Sequence, residues 1–432
     1  MNDPNGEIKF MTLPQCGANG ELFPLPPPKQ FLGLKMRSKN KSQNIKGERT
    51  MASKKTNQGS ISIAELKDLL RDNLNALWEN DPALHTKHAD ASMMIPPVMV
   101  WGAPGVGKST AVRELTKELG IGFIDVRLAQ REPVDMRGLP VPDERENSVK
   151  WLVSGEWPRE GRGILLFDEL TAADRSLQVA AYELILDRRL GDLYKVPDGW
   201  YICAAGNRVE DAAVSTTMSS ALANRFMHVE LGEDVESWAH WATLHNIHPS
   251  VTGFLRFRPD CLFRQSDENL ERGWPTPRAW ERVSIMMGIV PEDDEELLRK
   301  LVYGLVGNRA GMEFIEFHNL NASFDDVRRM MLNPSVPVSI PQKVDRKYAM
   351  CAAMAYYVWR GKDKAESDAL LDGFFCISKK LTSDFACMVM TDTMGGCGQL
   401  DSKEAASRLF YHKDYKEWAE IHGKAMKKHL SF

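Results

Sequence analysis

Three short stretches of this 432-residue chain carry residue types at a spacing that could do phosphate chemistry. The first is Gly102-Ala103-Pro104-Gly105-Val106-Gly107-Lys108-Ser109-Thr110, which contains the full pattern Gly-x-x-x-x-Gly-Lys-Ser. Glycines at these positions let backbone N–H groups curl around a polyphosphate seated at the positive end of the following helix. Lys108 would reach the β- and γ-phosphates of ATP, and the Ser109 hydroxyl would bind Mg²⁺. The second stretch is Ile164-Leu-Leu-Phe167 with Asp168-Glu169 behind it. Asp168 would hold Mg²⁺ through water, and Glu169 would orient and polarise an attacking water. An apolar run ending in two acids is a weak signal alone. Its place after the phosphate loop, with a strand and a helix between, gives it weight. The third is Asn207, behind the apolar run Trp200–Ala204. It could hydrogen-bond the attacking water or the γ-phosphate, or it could simply make a turn. Together they point to hydrolysis of a nucleoside triphosphate, a reaction that needs mainly positioning and charge neutralisation.

These side chains need a sheet to hold them. Val98–Trp101 reads as the strand ahead of the loop, and Lys108–Leu119 as the helix behind it, stopped by Gly120. Gly122–Val126, Ile164–Phe167, Trp200–Ala204 and Met227–Leu231 read as four further strands. Ser62-Ile-Ala-Glu65 is a capping box opening an amphipathic helix that runs to about Trp78. Asp174 is placed to cap a helix carrying Leu177, Ala181, Leu184 and Ile185. Leu139–Pro142 and Val149–Val153, either side of a turn-rich segment, read as a projecting β-hairpin, with an irregular loop as the alternative. Beyond residue 235 the pattern is helical. Segments are expected at Trp238–Trp241, from Pro277, and over Leu297–Val306, Phe324–Leu332, Tyr348–Trp359, Ala369–Lys380 and Ala405–His429. Arg256, Arg258 and Arg264 fall in what reads as a linker.

Bulk properties narrow the class. Hydrophobic residues make up 43% and charged residues 26%, enough for a substantial core. A net charge of -4 gives no support to a protein whose whole surface binds nucleic acid. The seven cysteines are scattered without C-x-x-C spacing, as expected of free thiols in a reducing cytoplasm. No signal peptide or membrane-length apolar run is evident. Residues 1 to about 60 are proline-rich and then basic, with too few apolar residues to offset ordering entropy. They read as a disordered, solvated tail that could touch acidic partners or nucleic acid, and Met51 is an alternative start. His240, His245 and His248 match no zinc spacing and read as solvated or capping side chains. Lys424, Lys427 and Lys428 suit a helix C-terminus.

Gly102–Ser109, Asp168-Glu169, Asn207, Arg225 and Arg278 stand in the order of an AAA+ ATPase. They resemble its Walker A, Walker B, sensor 1, arginine finger and sensor 2 residues. Asp135-Met-Arg-Gly-Leu-Pro-Val-Pro142, Val149-Lys-Trp-Leu152, Ala204-Ala-Gly-Asn-Arg208, Ala221-Leu-Ala-Asn-Arg-Phe226 and Pro275-Thr-Pro-Arg278 resemble the MoxR-like family, in the clade with a hairpin inserted in its second helix. The resemblance covers residues 60 to 290 and, more loosely, the helices to about 390. It implies an α/β fold, with a five-stranded parallel sheet flanked by helices and then an all-helical lid. The resulting division is a tail over 1–60, a nucleotide-binding domain over 61–235, and a helical lid and C-terminal region over 236–432. The resemblance also implies ATP and Mg²⁺, and a ring, usually a hexamer, with ATP between neighbours. Arg225 would then act on the next subunit's γ-phosphate, and Arg278 would act within its own subunit. The residues agree, since no cation other than Lys108 is evident near the water-attack side. Arg208 is the competing arginine. The hairpin is placed at the pore or top of the ring, where Lys150 and Trp151 are candidates for partner contact or plain hairpin packing.

The resemblance implies remodelling of partner proteins, often ones with a von Willebrand factor A domain. A nucleic-acid-linked motor or restriction-type subunit is the rival, favoured by the basic tail and disfavoured by the charge balance. An inactive scaffold fits poorly with intact Glu169, Asn207 and Arg225.

Overall fold

The computed structural model describes residues 59–79, 95–208, 218–264, 273–291, 293–320, 324–333, 339–397 and 400–430. The expected disordered tail over 1–60 lies almost wholly outside them.

The nucleotide-binding part alternates strands and helices: β1 (Ser60–Ile61), α1 (Ile63–Trp78), β2 (Val98–Trp101), α2 (Lys108–Leu119), β3 (Gly122–Arg127), α3 (Pro133–Arg137), β4 (Leu139–Asp143), β5 (Ser148–Leu152), β6 (Gly163–Asp168), α4 (Arg175–Leu186), β7 (Arg189–Leu190), β8 (Tyr194–Lys195), β9 (Trp200–Gly206), α5 (Ser220–Ala223) and β10 (Met227–Leu231). The main sheet is parallel throughout, in the order β1-β10-β2-β9-β6-β3. It therefore has six strands where five are expected. The extra edge strand is two residues long, pairing Ser60 with Glu230 and Ile61 with Leu231, too short to show a periodicity.

Alternation along the strands builds two cores. Ile164, Leu166, Tyr201, Cys203, Val98 and Val100 face one side with Leu66, Leu70 and Leu74 of α1. Leu165, Phe167, Ile202, Ala204 and Met99 face the other with Leu177, Ala181 and Leu184 of α4. Burial on both faces is why β6 reads as an unbroken apolar run. Each fully buried leucine contributes about 1.5–3 kcal/mol.

Caps follow the sequence with one exception. Ser62 and Glu65 make both bonds of the capping box. Asp174 stands at the N-cap of α4, but its side chain makes no cap hydrogen bond there. The β4–β5 hairpin forms between β3 and β6, with Leu139, Val149, Trp151 and Leu152 all exposed.

Downstream lie α6 (Val235–Leu244), α7 (Pro249–Phe257), α8 (Pro277–Ile289), α9 (Glu295–Leu320), α10 (Phe324–Leu332), α11 (Val344–Tyr357), α12 (Lys364–Ser378), α13 (Ser383–Met394), α14 (Ser402–Phe410) and α15 (Tyr415–Leu430). Several differ from expectation, α9 among them, which runs on to Leu320 where only Leu297–Val306 is expected. The stretch holding Arg256 is helix α7, which is only nine residues long with Gly253 inside it, too short for its period to be read. Ser383–Met394 is a helix that the pattern does not reveal. The single helix expected over Ala405–His429 is broken into α14 and α15. Gly307, at φ 76° and ψ 163°, kinks α9.

Contacts divide the chain into two compact units. One spans Thr50–Ala239 and Arg258–Glu316, so it includes the sheet and α8; the other includes His240–Phe257 and Phe317–Phe432. In the second unit the Arg256 guanidinium grips the Asp392 carboxylate with two hydrogen bonds, and both side chains are almost fully buried. Removing one partner of such a pair typically costs about 3–5 kcal/mol, because the other is left charged and unpaired. His245 stacks on Trp241, as a solvated histidine can. His248 is a capping histidine: its Nδ1 accepts the Ser250 N–H at 3.2 Å at the start of α7, and burial and the nearby His318 push its pKa down to about 4. The six cysteines within the described residues are free, and burial pushes Cys203 and Cys351 up to about 12. No described helix is long and apolar enough to cross a membrane.

Candidate active site

Strand order gathers the site. In the sheet β9 lies between β2 and β6, with Trp101 opposite Gly206 and Phe167 opposite Ala204. The residues leaving the carboxyl ends of these strands are Gly102, Asn207 and Asp168-Glu169. Ligands of open parallel sheets bind outside those ends.

The phosphate loop takes the shape its glycines permit. Gly105 and Gly107 have φ of 85° and 99°, in the left-handed region, and Gly107 caps α2. Ala103 and Val106 are buried in the core, so what they offer a phosphate is backbone. Thr110 is exposed. Lys108 is buried and its Nζ donates to Gly102 O at 2.6 Å, Ala103 O at 3.0 Å and Asn207 Oδ1 at 2.9 Å. The loop lysine and the strand-end asparagine are thus tied directly together.

Ser109 Oγ donates to Asp168 Oδ2 at 2.5 Å. A hydroxyl and a carboxylate oxygen in contact are the hard-oxygen pair that fits Mg²⁺, which takes few protein ligands and keeps several waters. Glu169 is exposed and backs onto the pair through its N–H, which donates to Asp168 Oδ1 at 2.9 Å. Its backbone is left-handed, φ 56° and ψ 32°. That conformation costs a non-glycine residue about 1–3 kcal/mol and recurs where a side chain must be aimed. Among the described residues its carboxylate has no hydrogen-bond partner.

One contributor escapes sequence reasoning. Thr171 is buried in the turn after Glu169, and its Oγ1 accepts the Asn207 N–H at 3.1 Å and donates to Asn207 O at 3.3 Å. Gly206 is needed beside it, since a Cβ there would stand 2.6 Å from Met99 and 2.8 Å from Thr171. A buried threonine in a short turn carries no motif, so nothing in the sequence marks it. We expect Thr171→Val to lower kcat roughly tenfold with a smaller change in KM for ATP, because it shifts Asn207 while Gly102 O and Ala103 O still hold Lys108. Steady-state kinetics would show this, and Thr171→Ser should restore the rate.

The two arginines are placed differently. The first turn of α8 lies against the loop, with Arg278 N–H donating to Gly105 O at 3.3 Å. Thr276 caps this helix by accepting Ala279 N–H at 3.0 Å, and Pro277 occupies its first turn. Pro104, Gly105, Trp274, Arg278 and Arg282 line a cavity of about 270 Å³ there, so Arg282 is a second cation that the motif does not include. Arg225 is exposed, and among the described residues it makes no hydrogen bond to the loop. Its guanidinium donates to Tyr182 Oη at 2.7 Å and lies 5.8 Å from the centre of that ring. Arg208, the competing arginine, stands 3.8 Å from Glu230.

His240, His245 and His248 form no metal-like group among the described residues. Such a group is made by Asp372, His412 and Asp414, whose ligand atoms lie within 4.8 Å of one another. Lys413 and Lys379 already pair with its carboxylates.

Residues 98–229 match the family described as ATPases associated with various cellular activities, AAA. This segment runs from the first residue of β2 into β10 and contains Lys108, Ser109, Asp168, Glu169, Asn207 and Arg225. The chain therefore carries an AAA+ ATPase domain, and it is a P-loop ATP hydrolase. Among solved structures it is similar to the Thermotoga maritima RuvB Holliday junction branch migration motor, with 16% identity over 65% of this chain and 81% of that one, TM-score 0.32. It is also similar to NtrX from Brucella abortus, with 14% identity over 85% of this chain and 72% of that one, TM-score 0.29. The assignment rests on the family match, and these likenesses add nothing to it.

Proposed function

We propose that this ATPase is MoxR-like and works as a ring, spending ATP to remodel a partner protein. Lys108 and the loop N–H groups hold the phosphates, and Ser109 and Asp168 hold Mg²⁺, which neutralises phosphate charge when bound. Glu169 and Asn207 position the attacking water. Arg278 links α8 to the nucleotide, and Arg225 serves the site of the neighbouring subunit. A hexamer is the ring size the resemblance favours, and a protein with a von Willebrand factor A domain is the partner it favours.

The observation that carries the reading is the pair of contacts Lys108–Asn207 and Ser109–Asp168, which bring three separate strand ends to one point. The exposed Trp151 and Leu152 on the hairpin support a partner surface, since apolar side chains on a projecting ribbon have nothing of their own to cover. A nucleic-acid-linked motor is the second reading, favoured by a basic cavity in the second unit.

Affinity capture tests the choice. Glu169→Gln protein loaded with ATP should retain a protein partner, and Lys108→Ala and Trp151→Ala should not. Equal capture by all three variants, or capture of nucleic acid in place of protein, would contradict the remodelling role.

A further inference from the structure

A cavity of about 1230 Å³ lies wholly within the second unit, bordered by the end of α11, the start of α12 and the end of α14. Five cations line it: Arg360, Lys362, Lys364, Arg408 and Lys413. Two carboxylates, Asp368 and Glu404, share the lining. With five cations against two carboxylates the lining is net positive, although the whole chain carries a net charge of -4. A concave surface with an excess of one sign concentrates the opposite ion.

Pairing separates these cations. Lys413 bonds Asp372 at 2.9 Å, and Arg408 bonds Glu404 at 2.7 Å. Arg360 is held by Tyr356 O and Asn246 Oδ1 and lies over the Tyr356 ring. Lys362 and Lys364 differ. Both are exposed, and neither ammonium makes an ion pair among the described residues. They flank Asp363, whose carboxylate is engaged in capping α12 through Glu366 N–H at 2.8 Å. Glu366 lies near Lys362 but is itself paired with Arg328, so two ammoniums without an ion pair of their own stand on one rim, set for an anion.

Aromatic rings stand on the same cavity. Tyr411 is 77% exposed, an unusual position for a large ring with no burial to favour it. Trp359 is half-buried, with its indole N–H donating to Thr393 O at 2.9 Å, so its ring is held in place. The volume exceeds the 300–1,000 Å³ or so usual for one small ligand. Cations that track a backbone, beside rings on which bases stack, are the parts of a single-strand site.

We propose that this cavity binds single-stranded nucleic acid, with phosphates on Lys362 and Lys364 and a base on Tyr411. The test is fluorescence anisotropy of a labelled dT12 oligonucleotide with the full chain in ADP, at several salt concentrations. Lys362→Gln/Lys364→Gln should weaken binding at least tenfold and lower the salt slope by about 1.4, since each phosphate contact contributes about 0.7. Tyr411→Ala should weaken binding about tenfold and leave the salt slope unchanged. All these side chains are exposed, and ATP turnover of each variant should match the parent, which also reports its folding. The basic tail is present in every protein compared and cancels. Unchanged dT12 affinity in the lysine and tyrosine variants would overturn the proposal. So would displacement of dT12 by a mononucleotide at equal phosphate concentration, which would make the cavity a small-ligand site.

Discussion

Glu169→Gln should bind ATP as tightly as the parent chain and lose at least about a hundredfold in kcat. The substitution keeps shape and removes the negative charge that polarises a water, and groups in that role contribute about 10²–10⁴ in rate. Ground-state binding should survive, because the groups on the phosphate side are Lys108, Ser109 and the loop backbone. Among the described residues the Glu169 carboxylate has no partner to lose, so no other part of the site should shift. Its left-handed backbone is as costly for Gln as for Glu, so stability should not change. Nucleotide binding by fluorescence titration and turnover by phosphate release separate the two effects. Weak ATP binding with parental turnover of what binds would remove Glu169 from its proposed role.

Arg225→Ala should lower turnover still further, by about 10³ or more, as expected for an arginine that meets charge developing on the transferred phosphoryl group. The structure explains why such a loss would be confined to catalysis. Arg225 is exposed and its guanidinium contacts only Tyr182 among the described residues, so its removal should leave the fold and the ATP affinity of a single chain intact. Tyr182 holds the exposed guanidinium by one hydrogen bond and one ring contact, and a ring contact of that kind contributes about 0.5–1 kcal/mol. A neighbour's γ-phosphate could outcompete it. Parental turnover in Arg225→Ala would shift attention to Arg208 or Arg282.

The catalytic half-site was legible in the sequence because it is local. Gly102 to Ser109 folds by its own glycines, the capping box at Ser62 closes within four residues, and β6 declares itself by burial on both faces. What was not legible is held by distant partners. Thr171 reaches Asn207 across 36 positions, and Arg256 reaches Asp392 across 136. Neither pairing leaves a period or a motif. Helix α7 was hidden for the opposite reason. It is local but only nine residues long, with Gly253 inside it, so its polar and apolar positions repeat too few times to declare a period. The short strand β1 and the cap geometry at Asp174 depend on neighbours that two or three residues cannot specify.

The central proposal, that a neighbouring subunit completes the site, is tested most directly by mixing two inactive proteins. Arg225→Ala keeps its own loop and Glu169, and Glu169→Gln keeps its own arginine. If each interface joins one subunit's loop to the next subunit's Arg225, a 1:1 mixture should regain roughly a quarter of parental turnover, the share of interfaces with both intact halves. A mixture that stays as inactive as its components, under conditions where the two proteins assemble together, would contradict the account.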